Sequence, residues 1–240
     1  MLQDASVPRG GGREACVRAL ADFGIEISSE EMNRLARFLE LLLDANMRMN
    51  LTAVRDMDAA WMRHVFDALT LLPILQQANA RRVADVGSGG GVPGLVLAIV
   101  WPQATHLLIE STGKKAAFLR SAADALSLRS VEVRSERAES LARGPLRESI
   151  DVVTSRAVAR LPILLELCLP LVREHGHMVT IKGEKAVAEV RESARALGTL
   201  RGAVTDCIRT PTGTVVVVEK VGKTPRRYPR PAGEPQKSPL

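Results

Sequence analysis

The stretch Val83-Ala84-Asp85-Val86-Gly87-Ser88-Gly89-Gly90-Gly91-Val92-Pro93-Gly94 decides the architecture. Its first four residues form an apolar run carrying one acid, Asp85. Gly87, Gly89, Gly90 and Gly91 crowd the positions after it, and Pro93-Gly94 opens a second apolar run, 95–100. This order predicts a buried strand, a tight loop and a helix. Pro93 suits the first helical position, where its fixed φ and missing N–H do no harm. Glycines lack a Cβ, so the loop can take positive φ and approach a ligand closely. The N–H groups of the helix's first turn are then free to bind that ligand. We read the stretch as a cradle for a nucleotide-type cofactor, against the plainer reading of a Gly-rich turn without a ligand.

Gly89, Gly91 and Gly94 satisfy the dinucleotide pattern G-x-G-x-x-G, which is weak alone. Glu110 closes a later apolar run, 107–109, at a spacing that suits a ribose ligand. That spacing fits a nicotinamide dinucleotide and S-adenosylmethionine equally. Asp85 distinguishes them, because a carboxylate at that position suits an ammonium-bearing ligand better than a pyrophosphate by charge sign.

The chain has 240 residues, 46% hydrophobic, enough for one large domain with an extension. Its formal charge of +6 points to a polyanionic partner such as nucleic acid, or to a merely basic enzyme. No apolar run approaches the roughly 18 residues that a membrane span needs, and residues 1–12 lack an apolar signal core. Cys16, Cys168 and Cys207 are far apart, which argues against a disulfide framework or zinc site and for the cytoplasm.

Residues 1–12 read as disordered and 13–23 as helix. Ser28 with Glu31 is a capping box for an amphipathic helix over 29–49, with Met32, Leu35, Leu39 and Leu42 at helical spacing. Asn50-Leu51-Thr52-Ala53 breaks it. A further helix over 58–72, ended by Pro73, carries Trp61, His64, and an Arg63–Asp67 pair expected on the surface. His64 there is structural or functional.

From Arg81 onward, apolar runs at 83–86, 106–110, 130–134, 151–155 and 177–182 alternate with helical stretches at 94–100, 114–126, 161–173 and 185–198. Such alternation predicts βαβ units and a parallel sheet covered on both faces. The last runs, 204–210 and 214–220, are separated only by Pro211-Thr212-Gly213, which predicts an antiparallel hairpin. Five parallel strands closed by a hairpin make the seven-stranded, Rossmann-like α/β layout of class I S-adenosylmethionine methyltransferases. The expected organisation is a disordered 1–12, a helical extension 13–78, a methyltransferase domain 79–221 and a basic Pro-rich tail 222–240. The tail's five prolines are expected to exclude helix. Its Lys223, Arg226, Arg227, Arg230 and Lys237 make it either an arm laid on phosphates or a solvated tail.

A ligand of such a sheet lies at the carboxyl ends of the strands. This selects Asp85 and Gly87, Glu110 for the ribose, Ala138 and Glu139 for the adenine, Arg156, and Lys182 beside Gly183 for a substrate phosphate. A surface salt bridge is the alternative for Arg156. No Pro-Cys nucleophile, no Asn-Pro-Pro-aromatic or Asp-Pro-Pro-aromatic stretch, no H-E-x-x-H and no G-x-S-x-G occurs. A basic methyltransferase without nucleophile or evident base suits an acceptor such as guanine N7, which has a lone pair and no proton to lose. Catalysis is then by placement. A nicotinamide-dependent oxidoreductase and a non-catalytic RNA-binding assembly factor are the competing readings.

Several segments resemble the bacterial RsmG (GidB) family of 16S rRNA guanine-N7 methyltransferases. They are Asn50-Leu51-Thr52-Ala53-Val54, Arg63-His64-Val65-Phe66-Asp67-Ala68-Leu69, the cradle from Asp85 to Leu95, Glu110-Ser111, and Lys114-Lys115. Arg137-Ala138-Glu139, Ser155-Arg156-Ala157, Lys182-Gly183 and Thr224-Pro225-Arg226-Arg227-Tyr228-Pro229-Arg230 complete the match. The resemblance implies S-adenosyl-L-methionine as cofactor and S-adenosyl-L-homocysteine as product. It implies cofactor contacts at Asp85, Gly87, Gly89, Val92, Glu110, Ala138, Glu139 and Arg156. It implies Asn50, His64, Arg137 and Lys182 on the rRNA side of the pocket. The implied protein is a cytoplasmic monomer acting on 16S rRNA or the 30S subunit, without metal or membrane. Two departures stand out. Val92 is smaller than the Phe or Leu usual there, and Lys115 stands where Arg is common, so the two-pronged contact of a guanidinium is lost.

Overall fold

The computed structural model describes residues 12–240. The stretch 1–12 expected to be disordered lies outside the described residues except for Gly12. That residue is buried, opens helix α1 (Gly12–Asp22) and gives its N–H to Asp58 Oδ1 at 2.9 Å. Helix α2 (Ser29–Met49) begins at the capping box: Glu31 N–H meets Ser28 Oγ at 3.2 Å, and Ser28 N–H meets Glu31 Oε2 at 2.8 Å. Its apolar stripe, Met32, Leu35, Leu39 and Leu42, is buried as the spacing requires.

The helix predicted over 58–72 is not continuous. It consists of α3 (Met57–Ala60), a π-helical segment (Trp61–Phe66) and α4 (Asp67–Leu69). Pro73 does not end it. Pro73 lies in the first turn of the next helix, α5 (Leu72–Gln77), where a missing N–H is as harmless as it is beyond a helix end. The wide π turn shifts the helical phase, and His64, Val65, Phe66 and Asp67 are consecutive buried residues.

Seven strands form one sheet: β1 (Arg82–Val86), β2 (Thr105–Ile109), β3 (Val131–Arg134), β4 (Ile150–Arg156), β5 (Val172–Lys182), β6 (Gly202–Thr210) and β7 (Gly213–Lys220). Their order is β3-β2-β1-β4-β5-β7-β6, parallel from β3 to β5, with β7 antiparallel to both neighbours. Thr210 pairs with Gly213, so the hairpin turn is Pro211-Thr212 and Gly213 already belongs to β7. The strand order reverses between β1 and β4, which places the crevice for a ligand at their carboxyl ends.

Between the strands run α6 (Gly94–Val100), α7 (Gly113–Ala125), a short α8 (Ala138–Leu141) that the sequence reading did not anticipate, and α9 (Leu161–Cys168). The helix predicted over 161–173 stops at Cys168 because Val172 already pairs with Ile150 in the sheet. The helix predicted over 185–198 is split into α10 (Ala186–Glu192) and α11 (Ala194–Leu200). At the break, the Ser193 hydroxyl donates to the Glu189 carbonyl at 2.6 Å, the back-bonding that bends helices.

One face of the sheet is covered by α1, α2 and the π segment packed with α6 and α7 into a single apolar cluster. The N-terminal helices therefore share a core with the helices that flank the cradle. On the other face α9 and α11 pack with Ala84, Val153 and Val216, and Tyr228 of the tail joins them.

The tail is neither a free arm nor a solvated chain. Arg147 donates to the carbonyls of Thr224 and Tyr228, each at 2.7 Å. Arg230 grips the fully buried Glu166 through Nε at 2.9 Å and Nη2 at 2.6 Å, with its backbone N–H adding a contact at 2.8 Å. The prolines do not exclude helix either: α12 (Glu234–Lys237) forms with Pro235 in its first turn. Lys223, Arg226, Arg227 and Lys237 remain exposed, whereas Arg230 is neutralised.

Arg230→Ala leaves the Glu166 carboxylate buried without a partner. It should cost about 3 kcal/mol or more. A paired Arg230→Met, Glu166→Leu exchange should recover most of that loss. Chemical denaturation of the three proteins, with limited proteolysis of the tail, measures both effects.

Candidate functional site

The cradle between β1 and α6 is held by its own hydrogen bonds. Gly87 and Ser88 give their N–H groups to the Ile109 carbonyl at 2.8 and 3.2 Å, and Gly91 gives its N–H to Ser88 O at 2.6 Å. Gly89 N–H goes to Glu110 Oε2 at 3.0 Å. Gly87 has φ +73°, and a Cβ there would lie 2.3 Å from Val158 Cγ2. A Cβ on Gly94 would lie 2.3 Å from Leu108 Cδ2, so α6 can approach β2 this closely only with glycine there.

Asp85 corrects the first expectation. Its carboxylate does not face the cradle. The side chain is buried, accepting from Gly94 N–H at 3.2 Å and from the Thr154 hydroxyl, across the β1–β4 pairing, at 3.0 Å. Burial pushes its pKa up to about 6, and the bonds from Thr154, Ser88 and Gly94 only partly offset this. Pro93 occupies the N-cap of α6 rather than its first turn. The first amides of α6 are not free for a ligand, since Gly94 serves Asp85 and Leu95 serves Gly91 O at 2.8 Å.

Gly87, Gly89, Val92 and Glu110 line a cavity of about 530 Å³ above the loop, together with Leu51, Thr52, His64 and Arg156. Glu110 accepts Gly89 N–H and Thr112 N–H, the latter at 2.7 Å, one on each oxygen. A carboxylate accepts about four hydrogen bonds, so each oxygen keeps capacity for a ribose hydroxyl. The amides of Gly87, Ser88, Gly89 and Gly91 are spent, those of Gly90 and Val92 have no partner among the described residues, and the loop also offers carbonyl oxygen. No hydrogen bond among the described residues takes up that of Gly87. A pyrophosphate needs free N–H groups, whereas an ammonium needs acceptors. The free Gly87 carbonyl gives an ammonium the acceptor expected of Asp85, and Glu110 faces a ribose, so the cradle suits an amino-acid-bearing nucleoside such as S-adenosylmethionine.

A second cavity, of about 630 Å³, adjoins the first and is lined by Arg63, Asp67, Lys182, Lys185 and Thr212. His64, Arg156 and Ala157 line both. The wall between them is a chain of polar groups. Arg156 donates through Nη1 to the Arg63 carbonyl and to Asp67 Oδ2 at 3.3 Å, and through Nη2 to His64 Nδ1 at 3.1 Å. Asp67 also accepts from the Thr212 hydroxyl at the hairpin tip. The expected Arg63–Asp67 surface pair is thus replaced by a buried Asp67–Arg156 pair. Burial raises the Asp67 pKa and lowers that of Arg156, ahead of every charge or hydrogen bond that opposes it. His64 is pushed down to about 4 by burial, then by the Arg156 charge, so its ring is neutral at pH 7.

The other expected residues lie apart. Asn50 is the left-handed C-cap of α2, at φ 50°, ψ 55°, and lines a different cavity with Glu40, Asp44 and Arg55. The side chain from that region that reaches inward is Asn46, which takes Thr52 N–H at 2.9 Å and donates to Val54 O at 3.4 Å. Lys182 lines the second cavity, but its ammonium is committed to Glu189 and the Ala159 carbonyl, each at 2.8 Å, and is not available to a phosphate. Arg137 is exposed at the N-cap of α8. Ala138 and Glu139 are buried behind it and line neither cavity, and Glu139 Oε1 takes the N–H of Gly233 from the tail at 3.3 Å. Asn46, Thr52, Asp67 and Thr212 are the site residues that sequence reasoning missed. Thr52 and Asp67 lie within the segments that carry the resemblance, and Asn46 is a polar residue beside Ala45 on the buried face of α2. No cluster that could hold a metal, and no helix long and apolar enough to cross a membrane, occurs among the described residues.

The raised pKa of Asp85 has a signed consequence. The native state holds this proton more tightly than the unfolded chain does. The stability it contributes is full below about pH 4 and is lost as pH rises through about 6. Asp85→Asn removes that slope. Melting midpoints between pH 4 and 7 should fall for the parent relative to the variant, by the equivalent of about 3 kcal/mol across the window.

Among known proteins, the family model described as rRNA small subunit methyltransferase G matches residues 31–211. The protein named ribosomal RNA small subunit methyltransferase G from Sorangium cellulosum is 43% identical over 217 residues, covering 90% of this chain and 91% of the relative. Its namesake from Staphylococcus carnosus is 38% identical over 237 residues, covering 95% and 99%. Among solved structures, the Bacillus cereus O-methyltransferase in complex with S-adenosylhomocysteine superposes with a TM-score of 0.59 at 20% identity, over 86% of this chain and 97% of that one, a likeness of fold alone. The fold, the cradle and these matches together establish that the chain belongs to the rRNA small subunit methyltransferase G (GidB) family.

Proposed function

We propose that the protein transfers a methyl group from S-adenosylmethionine to N7 of a guanine in 16S rRNA, as rRNA or within the 30S subunit, in the cytoplasm. The enzyme class and the cofactor accord with the family, and the cradle's chemistry accords with both. When bound, the cofactor supplies a sulfonium methyl, which passes to the acceptor lone pair while the bonding electrons stay on sulfur.

The observation that carries the N7 assignment is the state of the wall between the cavities. The buried titratable groups around it are already committed. His64 is neutral and accepts from Arg156, Asp67 is bonded to Arg156 and Thr212, and Lys182 is bonded to Glu189. Glu184, the carboxylate of the second cavity that is unpaired among the described residues, is exposed at its rim rather than on the wall. None of His64, Asp67 and Lys182 is free to remove a proton. Hydroxyl and exocyclic amino acceptors must lose one during methylation, whereas guanine N7 has none to lose. The chain's part is to orient and enclose. Glu110 and the loop carbonyls hold the donor, and the second cavity holds the base against the shared wall. Arg63 and Lys185, exposed at the rim of that cavity, suit the flanking phosphates. Asn50, Arg137 and Lys182 then act through the shape of the site or through RNA beyond it.

Unmethylated 16S rRNA or 30S particles incubated with the enzyme and methyl-labelled cofactor should yield labelled 7-methylguanine after nuclease digestion. Label on a ring carbon, a ribose or an exocyclic amine would reject the assignment. The rate should show no step from His64 between pH 6 and 8, since burial and the Arg156 charge already keep its ring neutral there.

A further inference from the structure

The hydrogen bonds along the wall have only one consistent set of directions. A guanidinium can only donate. His64 Nδ1, 3.1 Å from Arg156 Nη2, is therefore an acceptor, and the ring proton of the neutral imidazole sits on Nε2. Nε2 lies 3.0 Å from Thr52 Oγ1, so His64 donates to that hydroxyl. Val54 N–H also donates to Thr52 Oγ1, at 3.1 Å. Both lone pairs of the hydroxyl are occupied, and its own proton has no acceptor among the described residues. Thr52 lines the cofactor cavity, and its hydrogen-bond partner His64 lines both cavities. The wall thus presents one hydroxyl that can give a hydrogen bond and cannot take one.

We propose that the Thr52 hydroxyl donates to O6 of the target guanine and so decides guanine against adenine, an inference that rests on the guanine-N7 reading above. O6 and N7 lie side by side on one edge of guanine, both acceptors. A donor on O6 holds that edge while leaving the N7 lone pair free for the methyl group. Adenine places an amino donor where guanine has O6. Thr52 cannot reverse to accept it, because Arg156 acting through His64, and Val54, fix the direction. Two donors would then face one another in a desolvated site, the arrangement that gives the strongest discrimination. The function of the Arg156–His64 relay in this account is to set a direction, not to move a proton.

The test uses Thr52→Val, which removes the hydroxyl and keeps the shape, and Thr52→Ser, which retains it. The substrate is rRNA carrying either guanine or 2-aminopurine at the methylated position. 2-Aminopurine keeps N7 and lacks O6. Thr52→Val should lower kcat/KM for guanine about tenfold, and Thr52→Ser should restore most of it. S-adenosylhomocysteine affinity by calorimetry should stay within about twofold. Against 2-aminopurine the parent should already be slow, and Thr52→Val should slow it no further. A large loss of S-adenosylhomocysteine affinity would place the hydroxyl on the cofactor carboxylate and overturn the proposal. So would an equal loss on both bases, or parent activity on 2-aminopurine equal to that on guanine. The parent arm does not depend on the variant folding. Failure of the N7 reading itself appears separately, as absence of 7-methylguanine from the parent's product before any variant is compared.

Discussion

The guanidinium of Arg156 is the constraint on which the site depends. It leaves the end of β4 and joins the Arg63 carbonyl, Asp67 and His64, three groups of the N-terminal helices, to the sheet. The pair it makes with Asp67 is buried on both sides, with side chains 18% and 8% exposed. Burial opposes both charges, so the pair adds little to net stability. Losing one partner is another matter, because the remaining charge would stand alone in the interior. Such a contact selects one arrangement of the helices over the sheet more than it strengthens the fold. The two cavities share their wall because of it.

The glycine loop shows a similar division of labour. The amides of Gly90 and Val92 have no partner among the described residues, but most of its amides are absorbed by Ile109, Glu110, Ser88 and Asp85, which stiffens it. The same spacing of glycines in a dinucleotide site leaves those amides to a pyrophosphate. What separates the two uses is where the neighbouring carboxylates point. Here Asp85 looks inward to brace α6, and Glu110 looks across the loop toward the cavity.

Much of the fold was legible because it rests on local rules. The α2 capping box, the strand–loop–helix at the cradle, the alternation of strands and helices and the closing hairpin all follow from spacing and turn chemistry. The failures share a cause. Pro73 and Pro235 were read as stops, but a proline fits a first turn equally well, and only the residues packed around it decide. Asp85 was read as a ligand group because its partner, Thr154, is far off in the chain. The tail's docking was hidden for the same reason, since Arg147, Glu166 and Glu139 lie on other elements. The location of the site was readable, while the direction each side chain takes within it depends on contacts across the sheet.

Thr212 sits at the tip of the last hairpin and reaches back to Asp67 near the start of the chain. The groups that make the wall thus come off the ribosome in the order Asp67, Arg156, Thr212. The apolar stripes of the N-terminal helices are covered only once α6 and α7 have followed them, since all share one cluster. The wall cannot close until the β6–β7 hairpin has docked with β7 against β5. Until then the wall lacks the Thr212 bond to Asp67. The wall is completed late, with the hairpin that closes the sheet.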